Sequence, residues 1–169
     1  LTDPALRSEL AALHPACHGW AQLCCRWDRA DAEDVLQSAY LKVLDGSARF
    51  DGRCSARTWL FAVIRRTAAE RRRRDLLRQI FLRRWAGLAE EDLAADPQEA
   101  LADGEAVMRL RFALLRLSQR QRELLHLVFY QEITVEEAAC VLGISVGSAR
   151  THYHRGKARL RAILGDECK

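Results

Sequence analysis

With 169 residues, 49% of them hydrophobic and 30% charged, the chain can bury the core of one domain or two small ones, which excludes a disordered or fibrous protein. No apolar run reaches the ~20 residues of a membrane span, and the start Leu1-Thr2-Asp3-Pro4 lacks the features of a secretion signal, so a cytoplasmic protein without membrane insertion is expected. The net charge of +4 is unevenly spread: residues 1–46 carry −3, residues 47–84 carry +9 (twelve Arg against three acids), residues 85–108 carry −7, and residues 109–169 carry +5.

Two basic segments separated by an acidic one suit two polyanion-binding surfaces joined by a linker. Near the start, His14, Cys17, His18, Cys24 and Cys25 lie close together. They include no Cys-x-x-Cys pair and no second ligand pair at zinc-finger spacing. The thiols therefore read as small apolar side chains on a helix, and neither metal nor cofactor is expected.

The first clear helical pattern follows Asp31, which is placed to cap it. Val35, Leu36, Ala39, Tyr40, Val43 and Leu44 recur at helical spacing on an inner face, while Glu33, Asp34, Gln37 and Lys42 fall largely outside it. Gly46 ends the helix, and Asp51-Gly52 marks a turn. Ser55 then caps a long helix with the apolar stripe Trp59, Leu60, Val63 and Ile64. Its far end carries Arg65, Arg66, Arg71, Arg72, Arg73 and Arg74, and the helical pattern continues over 76–85 with Phe81 and Trp85 as anchors.

Residues 86–106 are acidic and Ala-rich, broken at Asp96-Pro97, and read as a linker. In the second half, Ser118 with Gln121 and Thr134 with Glu137 are capping boxes that each open a helix. Few segments alternate with period two, and only three Pro occur. The expected fold is all-α, with small helical domains at 1–85 and 107–169.

Residues 134–161 have the plan of a helix-turn-helix. A short capped helix ends at Gly143, the turn is Gly143-Ile144-Ser145, and a second helix opens at Val146. Val146, Ala149, Tyr153, Gly156 and Leu160 are expected to face inward, and Ser148, Arg150, Thr151, His154, Arg155 and Lys157 to lie on the other faces. Such a unit places the N-terminal part of its second helix in the major groove. Ser148 and Arg150 stand where base edges are reached; Arg155, Lys157 and Arg159 suit phosphates. In the first half, Phe50, Trp59 and Phe61 lie amid Arg49, Arg53, Arg57, Arg65 and Arg66, a mixture that suits unstacked bases. Trp59 reads as core, and Phe61 stays open as a contact.

Residues 31–44 (DAEDVLQSAYLKVL) and 50–66 (FDGRCSARTWLFAVIRR) resemble region 2 of the extracytoplasmic-function (ECF) sigma factors. Residues 117–125 (LSQRQRELL) and 134–160 (TVEEAACVLGISVGSARTHYHRGKARL) resemble their region 4. The two resemblances lie in the family's order and span about residues 10–165.

The resemblance implies an RNA polymerase sigma factor. The 31–42 helix would dock on the clamp helices of the largest polymerase subunit through Glu33, Asp34 and Gln37. The 47–57 loop and the start of the next helix would read and melt the minus-ten element, capturing a flipped base. Arg71 to Arg74 would hold duplex phosphates. The second domain would bind the minus-thirty-five element and the flap of the second-largest subunit. The linker would replace region 3, and an anti-sigma factor would be a further partner.

Three positions depart from the family's pattern: Arg66 stands where many members have Asn, Ser118 where Pro is usual, and Ala149 where Val is common. The alternative is a conventional helix-turn-helix regulator that binds duplex DNA as a dimer, in which residues 31–66 have no assigned role. No nucleophile–base pair, phosphate loop or zinc-protease motif is present, so an enzyme is not expected.

Overall fold

The computed structural model describes residues 4–86 and 104–166; most of the expected linker lies outside these. Seven helices and no strands occur among the described residues: α1 (Pro4–Cys24), α2 (Arg29–Leu44), α3 (Ala56–Ala86), α4 (Glu105–Leu115), α5 (Gln119–Phe129), α6 (Val135–Leu142) and α7 (Val146–Asp166). The all-α expectation holds.

Helix α1 carries Pro15 in its interior, where an imino nitrogen cannot donate to the carbonyl four residues back. Packing outweighs that loss: Cys17, Trp20, Ala21, Leu23 and Cys24 all enter the core. A tight turn with positive φ at Arg26 and Trp27 leads to α2. The cap of α2 is Asp28, not Asp31. The Asp28 side chain accepts the Asp31 backbone N–H at 2.8 Å, and Asp31 lies in the first turn, where the helix dipole favours a carboxylate.

Ser55 caps α3 as expected, accepting the Thr58 N–H at 3.1 Å. Helices α1, α2 and α3 pack together around Trp20, Val35, Leu36, Ala39, Leu60, Phe61 and Ile64. Trp20 Nε1 donates to the Phe61 carbonyl at 2.9 Å, which satisfies the one polar atom of the buried indole.

In the second half, both capping boxes form, at Ser118/Gln121 and Thr134/Glu137. Gly143 ends α6 at φ 63°, a left-handed conformation that suits glycine. Ser145 Oγ accepts the Ser148 N–H at 3.2 Å and so opens α7. Ala149 and Gly156 are buried on the inner face of α7, but Val146 is 37% exposed. Val146 is the first residue of α7, directly after the turn.

The two halves do not keep separate cores. Helix α6 packs on α3 and α5 on α1, so Leu124, Leu127, Ile133, Ala138, Val141, Leu142 and Ala149 join the cluster built by α1, α2 and α3. Ala113, Leu117, Leu125 and Ile163 form a smaller cluster among α4, α5 and α7.

Candidate nucleic-acid and polymerase interface

Helix α2 buries Ala32, Val35, Leu36, Ala39 and Val43, which turns Glu33, Asp34 and Gln37 outward on adjoining turns. Glu33 pairs with Arg29 at 3.1 Å, one helical turn back. Asp34 pairs with Arg71 of α3 at 2.9 Å, and the same guanidinium reaches Asp31 at 2.8 Å. These carboxylates hold Arg71 more firmly protonated, against the desolvation that opposes them. Arg71 is thus a strut between α2 and α3. Arg73 and Arg74 are exposed beyond it, and Arg72 is half-buried.

The loop before α3 exposes Arg49, Phe50 and Arg53. Arg53 bonds Asp51 at 3.3 Å across the Gly52 turn. Phe50 is 48% exposed and meets Trp59, which is only partly buried, at 5.4 Å between ring centroids. Phe61 differs from the expectation of an open contact. It is 0% exposed and packs against Trp20 at 6.2 Å, because it lies on the α3 face that meets α1. The exposed aromatic of this loop is Phe50, whose loop position placed it beyond the helical stripe used to sort the others.

Three more arginines of α3 divide between two directions. Arg66 is exposed to solvent. Arg57 turns toward the second half instead, where Nη2 donates to the Gln131 carbonyl at 2.8 Å and the guanidinium lies 5.4 Å from the Phe61 ring centroid. Arg65 donates from Nε to the buried Glu123 carboxylate at 3.1 Å. Neither Arg57 nor Arg65 is offered to a nucleic acid in this arrangement.

Helix α7 presents the other surface. Ser148, Arg150, Thr151, His154 and Arg155 are exposed on it. Thr151 Oγ1 donates to the Gly147 carbonyl at 3.0 Å, and Arg150 donates to Glu136 of α6 at 2.7 Å. That pairing with Arg150 holds the Glu136 carboxyl below its ordinary pKa. Lys157 differs from its neighbours: it is half-buried, with its ammonium 5.9 Å from the ring centroids of both Phe129 and Tyr153.

Gln131 is a residue that sequence reasoning missed. It is buried and joins three segments: its carbonyl accepts from Arg57, its Nε2 donates to the Ala16 carbonyl at 3.1 Å, and that Nε2 lies 3.3 Å from His126 Nε2. An amide nitrogen only donates, so this contact needs His126 neutral. Burial acts in the same direction, lowering the His126 pKa to about 4.

Among the described residues, no group of three or more His, Cys, Asp or Glu is arranged to hold a metal ion. Cys17 and Cys24 are core residues whose thiols burial pushes up, Cys17 to about 11. No helix of the described residues is long and apolar enough to cross a membrane.

Residues 11–88 match the family described as Sigma-70 region 2, and residues 108–160 match Sigma-70, region 4. RNA polymerase sigma factor YlaC of Bacillus subtilis (strain 168) is 32% identical over 131 residues, covering 77% of this chain and 75% of its own. ECF RNA polymerase sigma factor SigX of the same organism is 32% identical over 137 residues, covering 79% and 71%.

The chain belongs to the RNA polymerase sigma factors of the ECF type.

This sigma factor is also 31% identical to ECF RNA polymerase sigma factor EcfG of Rhodopseudomonas palustris (strain TIE-1), over 97% of the chain and 87% of the relative. Among solved structures, CnrH in complex with the cytosolic domain of CnrY is similar at a TM-score of 0.64 and 26% identity, covering 94% of this sigma factor and 87% of that chain. The sigma factor RpoE, in complex with the anti-sigma factor NepR from Bartonella quintana, shares the fold at a TM-score of 0.75 and 24% identity, covering 96% and 98%.

Proposed function

We propose that this sigma factor is a non-catalytic promoter-specificity subunit that works with the two halves of the chain apart. The observation that carries the reading is the exposure of cationic and hydrogen-bonding groups in both halves of the chain. In the first half Arg49, Phe50, Arg53 and Arg66 are exposed, and in the second Ser148, Arg150, Thr151, His154 and Arg155. Residues 1–85 act as the minus-ten domain. There Arg49, Arg53 and Arg66 meet the strand backbone, and Phe50 offers a face to an unstacked base. Arg72, Arg73 and Arg74 lie toward duplex phosphates.

Residues 107–169, following the linker at 86–106, act as the minus-thirty-five domain, with α7 in the major groove. Glu33, Asp34 and Gln37 dock on the largest polymerase subunit, and the second domain meets the flap of the second-largest. An anti-sigma factor is a further partner, a reading supported by the sigma factor RpoE, which shares this fold and is bound to the anti-sigma factor NepR.

Arg57 and Arg65 are tied to Gln131 and Glu123 in the packed arrangement. Use of either on DNA requires α5 and α6 to leave α3, so promoter engagement is coupled to opening of the chain. Run-off transcription with purified core polymerase and a genomic promoter library tests this. Transcripts that depend on the protein and share two spaced elements are expected. Tight binding of the isolated protein to duplex DNA, with no such transcripts, would overturn it.

A further inference from the structure

Beyond the core that it builds with α1 and α2, helix α3 runs on into a stretch where every residue from Arg73 to Leu82 is exposed. Phe81, expected to anchor this end of the helix, is 68% exposed, and Leu76, Leu77, Ile80 and Leu82 are each at least half exposed. A patch of large apolar side chains held in water marks a surface that meets a partner or a membrane. Successive helical residues advance about 100°, so these five spread over about two thirds of the circumference. Arg73, Arg74 and Arg78 are exposed between them. The one acid of residues 71–82, Asp75, lies 4.0 Å from Arg71.

An occupant of this face must account for both its apolar and its basic groups. Duplex DNA meets the arginines but leaves the leucines, Ile80 and Phe81 in water. A second copy of the chain covers the apolar groups but sets a basic stretch against its own like. An acidic protein helix answers the charge but covers one side of α3. The surface of an anionic bilayer answers all three demands. Its headgroups and acyl boundary close round a wide arc of helix, and its phosphates meet guanidinium groups held out on long apolar stems.

We propose that residues 73–82 of α3 bind the surface of an anionic lipid bilayer. Leu76, Leu77, Ile80 and Phe81 enter the boundary between headgroups and acyl chains, and Arg73, Arg74 and Arg78 pair with lipid phosphates. The helix lies along the surface, since no helix of the described residues is long and apolar enough to cross a membrane. Arg73 and Arg74 serve duplex phosphates in the function proposed above, so a membrane-held molecule is withdrawn from promoters. That consequence rests on the proposed function; binding to lipid does not.

The test sediments the whole chain with vesicles of phosphatidylglycerol and phosphatidylcholine in equal parts, and with vesicles of phosphatidylcholine alone. Binding to the first is expected to be at least about tenfold tighter and to weaken as salt is raised. Phe81→Glu is expected to weaken it at least about tenfold. Leu41→Glu makes the same charge change at an exposed position of α2 and is expected to keep the parent's binding. In run-off transcription with core polymerase, the anionic vesicles should lower the transcripts made with the parent and spare those made with Phe81→Glu.

No binding to either vesicle, equal binding to both, or equal losses in Phe81→Glu and Leu41→Glu overturns the site. Without vesicle binding, self-association that Phe81→Glu abolishes gives the face to a second copy, and capture by an immobilised amphipathic peptide of Leu and Glu gives it to an acidic helix; either result overturns the proposal. Transcripts that bound vesicles leave untouched overturn the withdrawal. If the protein fails to transcribe without vesicles, the proposed function falls, while sedimentation still decides the lipid site.

Discussion

Across the junction of the two halves, Arg65 Nε donates to Glu123 Oε2 at 3.1 Å, with side chains 18% and 2% exposed. Gln119 Nε2 donates to the other carboxylate oxygen at 2.7 Å, and Arg120 lies 3.7 Å away. A carboxylate so far from water is costly to bury unless it is paired and hydrogen-bonded, and these groups supply the partners. Of the three, Arg65 alone comes from the first half. The ion pair is therefore a fastening between α3 and α5.

Arg65→Ala leaves the Glu123 carboxylate buried with Gln119 and Arg120 alone. Loss of about 2–4 kcal/mol of stability is expected. It is read as a lower urea midpoint at unchanged slope. An Arg65→Ala protein with the parent's midpoint would show that solvent already supports Glu123.

The neutral His126 ring makes stability depend on pH. Its pKa is about 4 in the folded chain, against an ordinary 6.5. The unfolded chain therefore binds a proton that the folded chain refuses between those values. The contribution is fully present above about pH 6.5 and is lost as pH falls toward 4. About 2 kcal/mol should disappear between pH 7 and pH 5. Urea midpoints at the two pH values measure it, and His126→Phe should flatten the difference.

At Gly156, an added Cβ would lie 3.1 Å from Gln121 Cβ and 3.4 Å from Leu125 Cδ1. Gln121 is held in a capping box, so α5 cannot yield cheaply. Gly156→Ala should cost about 1–2 kcal/mol despite the better helix propensity. Gly147→Ala, which meets nothing within 4 Å on the same helix, should leave stability unchanged or slightly raised. Thermal melts of the two variants make the comparison.

Arg150 must exchange its 2.7 Å contact with Glu136 for a base edge if α7 reads DNA. Arg150→Ala should lower promoter-specific transcription by about tenfold, as loss of a base contact does. Arg155→Ala should instead weaken binding across sequences and reduce the salt dependence by about one charge. Equal effects of both variants on all promoters would remove Arg150 from base reading.

Most caps and turns were legible because they are local, although the cap of α2 fell on Asp28 and not on Asp31. Ser118 with Gln121, Thr134 with Glu137, and Ser55 with Thr58 each act over three residues, and Gly143 meets a backbone need of its own turn. The division of α2 into an inner face and the outward Glu33, Asp34 and Gln37 followed from period alone. Helix α1 was harder to read because Pro15 interrupts a pattern that only packing restores.

By itself, then, the sequence determined most of the helices, the caps at Ser55, Ser118 and Thr134, the helix-turn-helix plan and the family. Tertiary structure alone decided which side of α3 each arginine and aromatic takes. Phe61 went into the core and Phe50 stayed out. Arg57 and Arg65 turned to Gln131 and Glu123, partners 74 and 58 residues away. Helical spacing says which side chains share a face, but not what that face meets. For α3, the answer came from α5 and α6, which lie across the acidic segment in sequence and against the same core in space.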